Sequence, residues 1–233
     1  MNARHWKAAA LMPRDTLLSI LPEPLSAELF GKARTVALTR GQPLFRAGDA
    51  CDGCYLINEG LLKVWVEAPS HRERILAILG PGALVGELSL IDGAPRSAFV
   101  TAIRESKLAF VTRATFDAFG AAHPEVFRHI SALLARHLRD NNDALVATSF
   151  LSVKGRAARA LLSLADAFGE EVGSGRILIH QKVSQGDVAA MAGIARENAS
   201  RILQEWVRKS LIKRLASYYC VENKAALERE AEN

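Results

Sequence analysis

The hydrophobic residues change their spacing along the chain. Between residues 36 and 111 they occur in short runs separated by glycine, proline and aspartate, a pattern that predicts strands joined by turns. Short strands of this kind are typical of a compact antiparallel barrel or roll. The predicted strands cover residues 43–45, 55–57, 61–66, 75–79, 99–102 and 108–111.

A helical period follows the strands. Apolar residues recur at three- and four-residue spacings without an internal proline or glycine, which predicts one long helix over residues 124–149. The apolar stripe is narrow and includes the polar residues Asn141 and Asn142, which favours an interface between two such helices in a dimer. An ordinary packing helix is the alternative. The stripe consists of Val126, Ile130, Leu133, Leu134, Leu138, Leu145 and Val146.

The flanking segments also predict helices. Residues 14–33 carry apolar positions interrupted by Pro22 and Pro24, which indicates two short helices. After the long helix, an apolar helix is predicted over residues 157–168, followed by a glycine-rich link at 169–175.

Composition narrows the classes of protein. The 233 residues are enough for two compact domains. The apolar run at residues 8–12 is too short for a secretory signal, and no stretch approaches the ~18 apolar residues of a membrane-spanning helix, so we expect a cytoplasmic protein without a membrane partner. Cys51, Cys54 and Cys220 form neither a disulfide framework nor a zinc site, and we interpret Cys51 and Cys54 as turn thiols rather than a redox or metal pair.

Charge is concentrated near the C-terminus. The net charge is only +5, but residues 176–214 contain eight cations and three acids, an excess of five. Such an excess suits a polyanion, although a solvated helical face would look similar. The cations are Arg176, Lys182, Arg196, Arg201, Arg208, Lys209, Lys213 and Arg214, and the acids are Asp187, Glu197 and Glu205.

The same region has the spacing of a helix-turn-helix over residues 183–203. Ser184 followed by Asp187 predicts a capped helix start, with aspartate making the reciprocal arm short. Ala189 is small where the two helices must cross, and Gly193 permits the turn. A helical pair used for protein contacts is the alternative. The predicted buried face consists of Val188, Met191, Ile194, Ala199, Ile202 and Leu203.

The predicted outer face suits base reading. Arginine can grip the major-groove edge of guanine with two hydrogen bonds, and glutamate can accept from the amino group of cytosine. Arg196, Glu197 and Arg201 resemble the recognition helix of the cAMP receptor protein branch of the CRP/FNR family of transcription regulators. The resemblance implies TGTGA-like half-sites in an inverted repeat. The DNA-binding residues that it implies are Ser184, Gln185, Ala195, Arg196, Glu197, Ser200, Arg201 and Lys213.

Two positions depart from that pattern. Relatives usually have serine where this chain has Ala195, and the loss of such a helix cap costs ~1 kcal/mol of helix stability. Gly186 has no side chain to support a contact with the DNA backbone. We expect lower affinity for DNA than in relatives, with the base preference retained.

A second motif, with the sequence GELSL at residues 86–90 and PRSA at 95–98, resembles the cyclic-nucleotide-binding domain. Gly86 allows close approach of the backbone, and the following helical turn presents free N–H groups to an anion. Arg96 and Ser97 suit a cyclic phosphate, and Glu87 is expected to accept from a ribose hydroxyl. The alternative is a structural Glu87–Arg96 salt bridge in a domain that has lost its ligand. The predicted ligand residues here are Gly86, Glu87, Leu88, Ser89, Arg96, Ser97 and Ala98.

The resemblance also implies that two adjacent polar residues of the long helix contact the base, one from each subunit. Counting back from Gly155 and Arg156 places Asn141 and Asn142 there, where many cAMP-responsive members carry hydroxyl residues. An amide can meet the edge of adenine or of guanine, so we expect cAMP as the effector with cGMP as a competitor. Either asparagine could instead set the register of a dimer interface.

Together these patterns predict an α+β regulator of transcription. We expect N-terminal helices at 1–33, a cyclic-nucleotide-binding β-roll at 34–122, a dimerisation helix at 123–151, a winged helix-turn-helix domain at 152–222 and a polar tail at 223–233. The expected partners are double-stranded DNA, a cyclic nucleotide, a second copy of the chain and RNA polymerase.

Other classes of protein have less support. The six histidines have no pair at helical ligand spacing, so we expect neither an enzyme nor a metal site, and no prosthetic group. A family member that senses redox state, haem or no ligand is the closer alternative, with His71 as a weak haem candidate.

Overall fold

The computed structural model describes residues 21–68 and 72–232. Contacts divide them into two compact units, one of residues 21–66 and 76–138 and the other of residues 67–68, 72–75 and 139–232. The first of the two predicted N-terminal helices and His71 lie outside the described residues. The second predicted helix is α1 (Glu23–Phe30), with Pro24 in its first turn.

Eight short strands form a β-roll of two four-stranded sheets, with strand orders β1-β8-β3-β6 and β2-β7-β4-β5. The six predicted strands are all present, and β1 and β6 are additional. Their bounds are β1 (Arg34–Leu38), β2 (Pro43–Phe45), β3 (Gly53–Glu59), β4 (Leu62–Glu67), β5 (Glu73–Leu79), β6 (Leu84–Val85), β7 (Phe99–Ala102) and β8 (Ser106–Thr112).

Strand β3 shows how the roll is packed. Successive side chains of a strand point to opposite faces, and β3 is apolar on both faces. Tyr55 and Ile57 pack into the cluster inside the roll, whereas Cys54 and Leu56 pack into a second cluster with α1 and the helices that follow β8. Burial on both faces explains why this part of the sequence is a continuous apolar run rather than an alternating one.

Three helices complete the first unit and the link to the second: α2 (Glu87–Asp92), α3 (Arg113–Ala122) and α4 (Glu125–Phe150). The α4 bounds agree with the predicted long helix to within one residue. Its early stripe is buried, at Val126, Ile130 and Leu133, and packs against the roll. Farther along, Leu138, Leu145 and Phe150 are 61%, 66% and 81% exposed.

The second unit combines helices α5 (Val153–Phe168), α6 (Gln185–Ala192), α7 (Arg196–Arg208) and α8 (Lys224–Ala231) with a four-stranded sheet. The sheet order is β11-β12-β10-β9, and the α+β fold with a C-terminal winged helix-turn-helix is confirmed. The strands are β9 (Gly169–Glu171), β10 (Ile177–Ile179), β11 (Ile212–Leu215) and β12 (Tyr218–Val221).

Local hydrogen bonds explain two boundaries in this unit. Helix α5 begins before the predicted residue 157. The Ser152 hydroxyl accepts a hydrogen bond from the N–H of Gly155 at 3.0 Å and so caps the start of the helix. The segment predicted as a polar tail contains α8, which starts at the Asn223 cap and buries Leu227 completely. None of the helices described is both long and apolar enough to span a membrane.

Candidate functional site

The Gly86 turn begins the predicted ligand motif in the roll. Its φ is 88°, in the left-handed region, and a Cβ here would lie 2.3 Å from Nη1 of Arg96. Only glycine therefore satisfies both the backbone and the approach of the guanidinium. The predicted helical turn after Gly86 is α2, which starts at Glu87.

Arg96 is buried, with only 3% of its surface exposed. Its Nη1 donates to the carbonyl of Gly86 at 3.0 Å, and its Nη2 donates to the carbonyl of Gly53 and to Oδ1 of Asp52, both at 2.7 Å. The guanidinium also lies over the ring of Phe45, 4.4 Å from its centroid. These contacts fix the plane and the orientation of the cation.

One nitrogen of Arg96 makes none of these hydrogen bonds. Its Nε is buried and has no hydrogen-bond partner in the part of the chain that the structure describes. An unsatisfied buried donor costs about 1–3 kcal/mol, and more when the group is charged. The arrangement therefore favours an added acceptor at Nε, and an anion would be the most stabilising one.

Glu87 is also buried, at 8% exposed, but it does not pair with Arg96. Instead of the alternative Glu87–Arg96 salt bridge, Arg96 forms an ion pair with Asp52. Oε1 of Glu87 lies 3.5 Å from Nδ1 of His137 on α4. Sequence reasoning missed both Asp52 and His137. Each is a single polar residue 40 or more positions from its partner, and no local pattern marks it.

The other predicted ligand residues surround this pair. The Ser89 hydroxyl donates to the carbonyl of Pro95 at 3.3 Å, which holds the loop between α2 and Arg96. Leu88 and Ser97 are exposed, and Ala98 is buried. The predicted ligand residues of this motif all lie in the first unit. Among them, a hydrogen bond joins Arg96 to Gly86.

Asn141 and Asn142 lie on α4 in the second unit, and both are exposed. Their predicted contact with the base of a ligand stays a prediction.

The prediction that Cys51 and Cys54 are turn thiols is wrong for Cys54, which lies within strand β3. Cys54 is completely buried, and burial, with a smaller contribution from the charge of Glu87, raises the pKa of its thiol to about 12. Cys51 is half-buried, and its Sγ lies 3.8 Å from the carbonyl of Gly53. The described residues contain no cluster of three histidine, cysteine, aspartate or glutamate side chains that could hold a metal.

The helix-turn-helix has the predicted caps. The Ser184 hydroxyl accepts from the N–H of Asp187 at 3.0 Å, and the Asp187 carboxylate accepts from the N–H of Ser184 at 2.8 Å. The reciprocal arm expected to be short therefore reaches its target. Gly193 takes a left-handed φ of 63° at the turn, and Ala195 precedes α7 without a side-chain cap.

Helix α7 separates its apolar and polar faces. Ala199, Ile202 and Leu203 are buried as predicted, whereas Ile194, before the helix, is only half-buried. The predicted DNA-contacting residues that are exposed are Ser184, Arg196, Glu197, Arg201 and Lys213, and those that are half-buried are Gln185, Ala195 and Ser200. The guanidinium of Arg201 donates to Oδ1 of Asn198.

Ion pairs join α7 to the start of α5. Lys154 and Lys209 donate to Oε1 of Glu205 at 2.7 and 2.8 Å, and these hydrogen bonds lower the pKa of its carboxyl to about 2. A cleft of about 550 Å³ beside them is lined by the cations Lys154, Arg201 and Arg208. The exposed side of α7 therefore continues into a basic cleft.

Comparisons with known proteins match both units of the chain. The family model "Cyclic nucleotide-binding domain" matches residues 35–123, and "Crp-like helix-turn-helix domain" matches residues 155–230. A CRP-like cAMP-activated global transcriptional regulator of Mycobacterium tuberculosis is 31% identical over 205 residues, 88% of this chain and 91% of that protein. A cyclic AMP receptor protein of Thermus thermophilus is 33% identical over 174 residues, 75% of this chain and 77% of that protein.

Solved structures show the same fold. The c-di-GMP-responsive global regulator CLP of Xanthomonas campestris superposes with a TM-score of 0.76 at 20% identity, covering 86% of this chain and 99% of that one. With both domains matched and relatives above 30% identity along most of the chain, the predicted family is confirmed, and the protein belongs to the CRP/FNR family of transcription regulators.

Proposed function

We propose that this member of the family is a dimer that binds cAMP in the roll and then binds an inverted repeat of TGTGA-like half-sites. The observation that carries the ligand assignment is the buried Nε of Arg96, which has no partner among the described residues. The cyclic phosphate supplies an acceptor at Nε, and the exposed hydroxyl of Ser97 adds a donor beside it.

The identity of the base rests on α4. Asn141 and Asn142 are exposed, and their amides can donate and accept. Adenine fits with its amino edge and guanine with its carbonyl and N–H edge, so cGMP is the competitor. The Xanthomonas relative responds to c-di-GMP, which makes that dinucleotide the third ligand to test.

The proposed dimer uses the far part of α4. Leu138 and Leu145 are seven residues apart, which is the heptad spacing of a two-helix interface, and both are exposed. Isolated apolar side chains are common on surfaces, but a row along one helix indicates a missing partner. A second copy of α4 would cover it.

The dimer gives the DNA target its symmetry. Two α7 helices related by a twofold axis fit successive major grooves when they lie about 34 Å apart, one helical turn of DNA. Arg196, Glu197 and Arg201 read bases, and Lys213 meets phosphate. RNA polymerase is the further partner that we propose from the family resemblance.

One observation favours a second candidate function, that of a transcription regulator that responds to another effector or to none. Asp52 already pairs with Arg96 at 2.7 Å, so part of the cationic charge is neutralised without a ligand. Such a protein would bind its operator equally well with and without a cyclic nucleotide. A haem-dependent member would show visible absorbance after purification.

Calorimetric titration of the full-length protein with cAMP, cGMP and c-di-GMP tests the ligand assignment. The proposal predicts saturable binding of one cAMP per protomer, with cGMP weaker and competitive. Failure of all three nucleotides to bind would overturn it in favour of the second candidate.

A further inference from the structure

Glu87 is a buried carboxylate that depends on one neighbour. Its Oε1 lies 3.5 Å from Nδ1 of His137, and no other ion pair of Glu87 occurs within the described residues. The side chains are 10% and 28% exposed, so the contact is shielded from solvent mainly on the side of Glu87. A buried carboxylate is costly unless it is paired, so the state of His137 bears directly on Glu87.

The surrounding charged and titratable groups lie at or beside β3, α2, α3 and α4. Asp52 and the neutral thiol of Cys54 lie at the start of β3, Arg96 follows α2, and Arg113 of α3 donates to the carbonyls of Ser89 and Leu90 in α2. On α4 itself, Arg136 and Asp140 flank His137 and carry opposite charges, whereas Arg139, two positions after His137, faces away from it and is exposed.

These charges balance before His137 is counted. Glu87 and Asp52 offset Arg96 and Arg113, and Arg136 offsets Asp140. A cyclic phosphate adds one negative charge to this set. A proton on His137 restores the balance, whereas neutral His137 leaves Glu87 and the phosphate in one pocket with a net negative charge.

We propose that His137 is a positioning residue of the ligand site, whose proton holds Glu87 in place for the ribose and makes binding of a cyclic nucleotide dependent on pH. Histidine is the side chain that ordinarily changes charge between about pH 5 and pH 8. Binding of the anion takes up a proton at His137, and by linkage the affinity for the ligand falls as the pH rises through this range. The inference rests on the proposed function, because it requires that the pocket bind a cyclic nucleotide.

The test uses calorimetry with cAMP on the full-length protein and three variants. His137→Arg keeps a permanent cation beside Glu87, and His137→Gln keeps a hydrogen-bonding group without the charge. His129→Gln is the matched control, because it makes the same substitution elsewhere on α4. Titration at several pH values, in buffers of different ionisation enthalpy, gives both the affinity and the number of protons taken up.

For the wild type and His129→Gln we expect proton uptake near neutral pH and affinity about tenfold weaker at about pH 8 than at about pH 5.5, as a pKa change of one unit on binding would give. His137→Arg should bind tightly at both pH values and His137→Gln weakly at both, each without proton uptake at this site.

A pH slope in His137→Arg equal to that of the wild type would overturn this proposal alone. So would wild-type affinity in His137→Gln at about pH 5.5. Absence of nucleotide binding by the wild type at every pH would overturn the proposed function as well, so the two failures are distinguishable.

Discussion

The proposed ligand site in the roll and the proposed reading face of α7 use the same residue types in opposite environments. Arg96 and Glu87 are buried and held by fixed neighbours, whereas Arg196, Glu197 and Arg201 are exposed on their helix. A buried, oriented arginine is strong because its field is not screened, but it serves one small anion. Exposed arginines interact more weakly and depend on salt, which suits a long polyanion. A single substitution should therefore reduce the free energy of ligand binding in the roll by more than a single substitution on α7 reduces the free energy of DNA binding.

The largest effect is expected at the buried cation. Arg96→Ala removes the donor at Nε and the cation that pairs with Asp52, so ligand binding should weaken by about 2–5 kcal/mol in a protein that still forms a dimer. Calorimetry with cAMP measures the loss. The matched control is Arg40→Ala, which removes an exposed arginine from the same unit and should bind as the wild type does. Undiminished affinity in Arg96→Ala would place the ligand elsewhere.

A smaller effect, dependent on sequence, is expected on α7. Arg201→Ala should cost about 1–3 kcal/mol and relax the preference at its own base pair. Lys213→Ala, if this lysine meets phosphate, should weaken all sequences alike and reduce the dependence on salt. Selection of sites from random duplex DNA at fixed salt separates the two outcomes. Both Arg201→Ala and Glu197→Ala could instead select the wild-type motif with full preference at every position. That result would show that α7 does not read the DNA bases.

The smallest effect concerns the uncapped start of α7. Ala195→Ser supplies a side-chain acceptor for the free N–H groups and should stabilise the domain by about 1 kcal/mol. Urea unfolding measures this change, and Ala195→Val is the control, because it adds bulk without an acceptor. Equal stability of the serine and valine variants would mean that the cap does not form.

Local patterns predicted most of the fold. The bounds of β2 and β7 match the predicted strands residue for residue, and Gly41 and Gly48 mark the turns on either side of β2. Strand β1 escaped notice because only Leu38 of its five residues is buried, and because the strand is defined by its pairing with β8, about 70 positions later. Strand β6 has only two residues, too few for a period.

The candidate sites also combine residues that a local sequence pattern predicts with residues that only tertiary contacts identify. Gly86, Glu87 and Arg96 could be found because they belong to a short motif, and the helix-turn-helix residues because their spacing is fixed. Asp52 and His137 could not be found, because their roles come from tertiary contacts with Arg96 and Glu87. The partners of buried charges therefore have to be read from the structure.

We propose that a ligand in the roll biases the α4 helices and so couples the buried site to the exposed face of α7, and affinity measured in both directions tests this coupling most directly. The proposed function predicts that cAMP tightens operator binding and that operator DNA tightens cAMP binding by the same factor, as linkage requires. Calorimetry with and without operator duplex, paired with DNA titrations with and without cAMP at one salt concentration, gives both factors. Equal factors well above one would support the coupling between cAMP binding and DNA binding, and cAMP affinity unchanged by operator DNA would contradict it.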